Sequence, residues 1–145
     1  RVTVPPTLNT YHGVPRPYAM HDLRRGPAME DLTEQKCEAC RVGAPSVTPE
    51  EIEELHPKIA DWQIIDEDGI PKLDRHFKFK NFKDAISFTD AVGAAAEEEG
   101  HHPRLTTEWG KVAVTWWTHK IRNLHKNDFI MAAKTDVIYS KYPQA

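Results

Sequence analysis

Apolar positions change their spacing several times between residues 48 and 142, and each change marks an element. Thr48-Pro49-Glu50-Glu51 opens a helix: Thr48 suits the N-cap, Pro49 the first helical position, and Glu51 completes a capping box. Ile52, Leu55 and Ile59 continue one apolar stripe, while Glu50, Glu51, Glu53 and Glu54 form a solvated face that favours the positive end of the helix dipole. Residues 62–66 and 72–80 read as strands, with Leu73, Phe77 and Phe79 alternating against Asp74, His76, Lys78 and Lys80. The turn Asp66-Glu67-Asp68-Gly69 between them predicts a hairpin.

A second helix begins at Asn81, a good N-cap, with Asp84 at the third helical position. Phe82, Ala85, Ile86, Thr89, Val92 and Ala96 form its expected buried stripe, and Gly100 ends it as a left-handed residue would. Glu97, Glu98 and Glu99 sit against the negative end of the dipole, a local violation that marks either a functional place or a helix end kept soluble. Residues 104–109 and 111–119 read as two more strands joined at Trp109-Gly110. In the second, Val112, Val114 and Trp116 share one face and Ala113, Thr115, Trp117 and His119 the other. A last helix covers residues 127–142, with Phe129, Ile130, Ala133 and Val137 apolar. The expected fold is α+β: an antiparallel four-stranded sheet with three helices on one face, in the order α-β-β-α-β-β-α.

The first 30 residues differ, with Pro5, Pro6, Pro15, Pro17 and Pro27 and no sustained period. They read as a flexible N-terminal extension (1–30) ahead of a single α+β domain (31–145). A net charge of −3 and a pI of about 6.2 argue against binding nucleic acid or an anionic membrane surface. No apolar run approaches a membrane span or a secretory signal, so a reducing cytoplasm is expected. Cys37 and Cys40 have the spacing of half a zinc site or of a redox pair, but no second ligand pair follows at finger spacing. Two reduced thiols near a flexible end are the plainer expectation.

Three of the eight histidines fall at structural breaks. His101 and His102 follow the second helix, His119 ends the last strand, and Asp128 opens the final helix; a strand end and a helix end meet at one rim of a sheet. Histidine exchanges protons near neutral pH, and a neighbouring carboxylate orients the ring and favours its charged form. Blander uses exist for each: His102 before Pro103 suits a turn, His119 a strand-end hydrogen bond, and Asp128 a helix N-terminus. Such a set also suits a divalent ion, but neighbouring side chains in a tight turn rarely aim at one ion, so no metal is expected.

Glu97-x3-His101-His102-Pro103, then Trp109, then His119 ten residues on, then Asp128, resembles the signature of the pterin-4a-carbinolamine dehydratases at every fixed position. Trp117-Thr118-His119, Asn127-Asp128-Phe129 and Phe77-x-Phe79-x-x-Phe82 look like that family too, and the likeness spans residues 48–139. The Cys37-Glu38-Ala39-Cys40 lead-in is similar to bacterial-type members. The resemblance implies dehydration of 4a-hydroxytetrahydrobiopterin to quinonoid dihydropterin, supporting tetrahydropterin recycling for aromatic amino-acid hydroxylation, with no metal and no cofactor. It implies His101 as base toward the ring, His119 as acid toward the leaving hydroxyl, and His102 as the residue that orients the pterin. Glu97 and Asp128 become supporting carboxylates, Pro103 stiffens the turn, and Trp109 or Trp117 walls the pocket. Dimers or tetramers are implied, with sheet edges joined and the second helix at an interface. Some relatives instead serve as dimerisation cofactors or assembly chaperones, the alternative reading. One departure stands at His125, where the family commonly has a threonine that caps the last helix; the expectation is a weakened cap or one moved to Asn127.

Overall fold

A computed structural model describes residues 31–144. The extension expected over residues 1–30 lies outside the described residues. Helix α1 (Pro49–Leu55) runs into a 3-10 turn (His56–Ile59), followed by β1 (Gln63–Glu67), β2 (Ile70–Lys78), α2 (Phe82–Glu99), β3 (Arg104–Glu108), β4 (Lys111–Trp116) and α3 (Lys126–Tyr139). The strands form one antiparallel sheet in the order β1-β2-β4-β3, the α+β arrangement expected. No helix among the described residues is long and apolar enough to cross a membrane.

Local chemistry sets the ends of these elements. Thr48 Oγ1 accepts the Glu51 N–H at 3.2 Å and caps α1. Asn81 Oδ1 accepts the Asp84 N–H at 2.7 Å and caps α2, and Gly100 closes that helix at φ 62°. The β1–β2 hairpin turns at Asp68 (φ 54°) and Gly69 (φ 79°), so the ladder already includes Ile70 and Pro71, two residues earlier than the alternation suggested. Phe79 leaves the ladder yet stays buried, and its N–H donates to the Gly110 carbonyl at 2.8 Å.

The helices cover one face of the sheet. Leu73 and Phe77 of β2 and Val112, Val114 and Trp116 of β4 point into that layer, each at most 1% exposed. Phe77, Phe79 and Phe88 meet Tyr139 and Tyr142 in edge-on and tilted pairs. The α2 stripe is Ala85, Phe88, Val92 and Ala96. Phe82 and Ile86, expected inside, are exposed on its flank, because the sheet selects the row carrying Phe88. Helix α3 buries residues well around its circumference, because residues 31–47 pack across the side away from the sheet; Leu32 there is 2% exposed. Arg75 pins the far half of α3 to the sheet. It donates to Asp136 at 2.5 Å, and Asp136 also accepts the Trp62 indole N–H at 2.8 Å. Burial pushes the Asp136 carboxyl above its usual range despite these donors.

Candidate active site

Two adjacent histidines meet opposite fates because they stand in extended chain. Gly100 turns the backbone out of α2, and the His101 N–H returns to the Ala96 carbonyl at 3.1 Å. The β3–β4 register pairs Arg104 with Thr115, and side chains alternate between faces from there back. His101 therefore falls on the helix side and His102 on the open side. His101 is 4% exposed and stacks on the Trp116 indole, ring centroids 5.6 Å apart and 11° from parallel. The His102 side chain is 59% exposed.

Asp128 makes the buried half of the site. It occupies the third position of α3, where the positive end of the helix favours a carboxylate. With no exposed surface, it accepts three hydrogen bonds: His101 Nε2 at 2.6 Å, Thr118 Oγ1 at 2.8 Å and the His125 backbone N–H at 2.9 Å. With Asp128 as the acceptor, the proton of a neutral His101 stands on Nε2. The His125 bond is half of a capping box; the other half is His125 Nδ1 accepting the Asn127 N–H at 3.0 Å. His125 is thus itself the N-cap, because its Nδ1 does what a threonine hydroxyl does, and the cap does not move to Asn127.

The exposed half lies at the same end of the sheet. His102 Nε2 meets Glu97 Oε1 at 2.6 Å, both groups open to water. His119, expected as the last residue of the strand, stands three residues beyond it: β4 stops at Trp116, and His119 opens a 3-10 turn. Its ring lies 4.3 Å from that of Trp117. Trp117 is flanked by Lys72 at 4.0 Å and Arg104 at 5.6 Å. Both cations pair with Glu67, whose carboxyl they hold down at about 2. Pro103 leads into β3, half-buried. Trp109 is not brought to this rim. It sits 73% exposed in the β3–β4 turn, at the opposite end of the hairpin from the histidines.

The glutamates that break the dipole rule are partly accounted for. Glu97 holds His102, and Glu99 accepts from Lys134 at 2.5 Å and from the Cys37 N–H at 2.9 Å, which keep its carboxyl below the usual range. The cysteines, expected as two reduced thiols near a flexible end, are free thiols but docked beside the site. Cys40 Sγ lies 3.6 Å from His101 Nδ1, and burial pushes the Cys37 thiol up to about 12. No cluster among the described residues has the three His, Cys, Asp or Glu ligands that a metal needs. Thr118, Asn127 and Cys40 were not singled out as site residues from sequence. For Thr118 the only signal was its place in the Trp117-Thr118-His119 triplet.

The family described as pterin 4 alpha carbinolamine dehydratase matches residues 45–138. The chain belongs to this family. A protein of Nitrosococcus oceani, provisionally named a pterin-4-alpha-carbinolamine dehydratase, is 62% identical over 74% of the chain and 96% of its own length. A protein of Syntrophotalea carbinolica with the same provisional name is 58% identical over 76% of the chain and 98% of its length. Among solved structures, a transcriptional coactivator/pterin dehydratase from Brucella melitensis superposes with a TM-score of 0.60 at 32% identity, covering 66% of this chain and 99% of that one. The matched span of the dehydratase family takes in every residue of the histidine signature, from Glu97 to Asp128.

Proposed function

We propose that the chain dehydrates a 4a-hydroxytetrahydropterin to quinonoid dihydropterin and water, in support of tetrahydropterin recycling for aromatic amino-acid hydroxylation. The observation that carries this reading is the buried His101–Asp128 pair. It leaves a single basic nitrogen, Nδ1, on a ring held by stacking and by a 2.6 Å hydrogen bond. The reaction needs a proton delivered to the C4a hydroxyl, which leaves as water, and a proton taken from the ring nitrogen as the C4a–N double bond forms. No net proton is gained or lost, so an acid and a base suffice, worth roughly 10²–10⁴-fold in rate. His101 is the base toward the ring nitrogen and His119, open to water, the acid toward the hydroxyl. His102, oriented by Glu97, binds the pterin, and Trp117 supplies a flat wall beside His119.

The test is the rate of 4a-carbinolamine dehydration, followed by ultraviolet absorbance, beside the His101→Ala/His119→Ala double variant. Turnover that vanishes in a folded variant supports the reading; equal rates from both proteins overturn it. Assembly into a homodimer or homotetramer is part of the same reading. Phe82 and Ile86, 48% and 39% exposed one turn apart on α2, supply apolar surface for it. Light scattering that returns the mass of one chain would refute assembly.

A further inference from the structure

His101 has no nitrogen free for a substrate. Nε2 is committed to Asp128, so the basic lone pair of the neutral ring is on Nδ1. That atom faces the Cys40 thiol at 3.6 Å, and only 4% of the residue is exposed. In this state the proposed base is roofed by residues 37–40.

Cys37 packs against the core, and beyond it the roof is fastened by a few hydrogen bonds. Asn127, 1% exposed, clamps Glu38 from both sides: Oδ1 accepts its N–H at 3.0 Å and Nδ2 donates to its carbonyl at 2.8 Å. The same Nδ2 reaches Cys40 Sγ at 3.7 Å. Lys120 Nζ donates to the Cys40 carbonyl at 2.9 Å, and the Cys37 N–H donates to Glu99. Glu38 and Ala39 between these points are exposed. Beside them lies a cavity of about 370 Å³ lined by Glu38, Ala39, Arg41, Val42, Pro45 and His125 among others.

We propose that residues 37–40 form a latched strap, with Cys40 the latch on His101 Nδ1 and Asn127 its anchor, and that the pterin reaches His101 by displacing the Cys40 thiol. The proposal rests on the dehydratase reading for the identity of the displacing ligand, but not for the existence of the strap. A thiol suits a latch because it is a weak donor, readily exchanged for a ring N–H or hydroxyl. Cys37 stays a packed thiol held by the Asn127 carbonyl at 3.9 Å.

The experiment follows Cys40 itself. Cys37→Ala leaves Cys40 as the only thiol, since the chain has two cysteines. Its alkylation by iodoacetamide is timed at fixed pH with and without 7,8-dihydrobiopterin, a product-like pterin, and pterin binding is read separately by tryptophan quenching. The expected result is faster alkylation when pterin is bound. Two further variants are made in the same background and timed without pterin. Lys120→Ala, on the surface, removes one strap hydrogen bond and is expected to speed labelling about two- to tenfold. Asn127→Ala removes three contacts and is expected to speed it more. Bound pterin that leaves labelling unchanged or slows it overturns displacement. Anchor variants that label at the parent rate overturn the strap. No pterin binding at all sinks the dehydratase reading, and displacement with it, while the anchor variants still decide whether the strap exists.

Discussion

Asp128→Asn preserves shape and removes one charge, and its effect can be followed atom by atom. The carboxylate accepts from His101 Nε2 through one oxygen and from Thr118 Oγ1 and the His125 N–H through the other. An amide has only one oxygen. If that oxygen turned to His101, the amide NH2 would face two donors, one of them a backbone N–H of the α3 cap. Leaving such a donor unsatisfied costs about 1–3 kcal/mol, and losing the cap about 0.5–2 kcal/mol more. If the oxygen stays with Thr118 and His125, the NH2 faces Nε2, and the ring answers by moving its proton to Nδ1. That route strands no donor, so it wins; its cost is the weakening of charge-assisted bonds to neutral ones, about 1–3 kcal/mol in all. A melting temperature lower by roughly 4–12 °C follows for a domain of this size. The flipped ring presents an N–H where the base should be, so dehydration at saturating pterin falls by about 10²–10⁴-fold. Stopped-flow absorbance measures the rate, and ¹⁵N NMR of the imidazole reads the tautomer directly. A wild-type ring protonated on Nδ1, or a flipped variant that turns over normally, would refute the assignment of Nδ1 as base.

Three other outcomes are expected. The Glu67 and Glu99 carboxyls titrate below their usual range when folded, so the stability they confer is complete above about pH 4.5. It is lost as pH falls toward 2, and melting curves across that window should steepen for wild type and flatten for Glu67→Gln. His125→Ala removes the Nδ1 cap of α3 at a cost of about 0.5–2 kcal/mol, while His125→Thr restores it; chemical denaturation of the pair separates cap from ring. Gly110→Ala places a Cβ 3.2 Å from the Phe79 carbonyl oxygen at a φ of 71°. The left-handed backbone alone costs about 1–2 kcal/mol, so an unchanged unfolding midpoint would contradict the geometry of that turn.

The elements legible in sequence were those with local signals at both ends. Helix α2 is bounded by the Asn81 side chain and by Gly100, each acting within three or four residues, and its range followed from them. Its buried face did not, because apolar residues line two adjacent rows and only the sheet chooses between Phe82-Ile86 and Ala85-Phe88. The type of site residue was legible for the same local reason, since a histidine pair after a helix stop is a pattern along the chain. Which histidine is buried depends on the parity of the β3–β4 register. The docking of the cysteine segment leaves no local pattern because its partners lie far along the chain: 61 residues separate Cys40 from His101, and 89 separate Glu38 from Asn127.

Helix α3 carries Asp128 at one end and Asp136 two turns later, about 12 Å away along the axis. Arg75 and Trp62 grip Asp136 from the sheet side, while the Asp128 carboxylate at the other end of that span is held by His101, Thr118 and the His125 N–H. A tilt of about 5° about Asp136 would displace Asp128 by roughly 1 Å over that length. Misplacement on that scale is enough to cost about 10²-fold in rate. Loosening the Arg75–Asp136 ion pair is thus expected to disturb the aim of His101, the proposed base, without touching it, and on the dehydratase reading to lower turnover with every candidate site side chain intact.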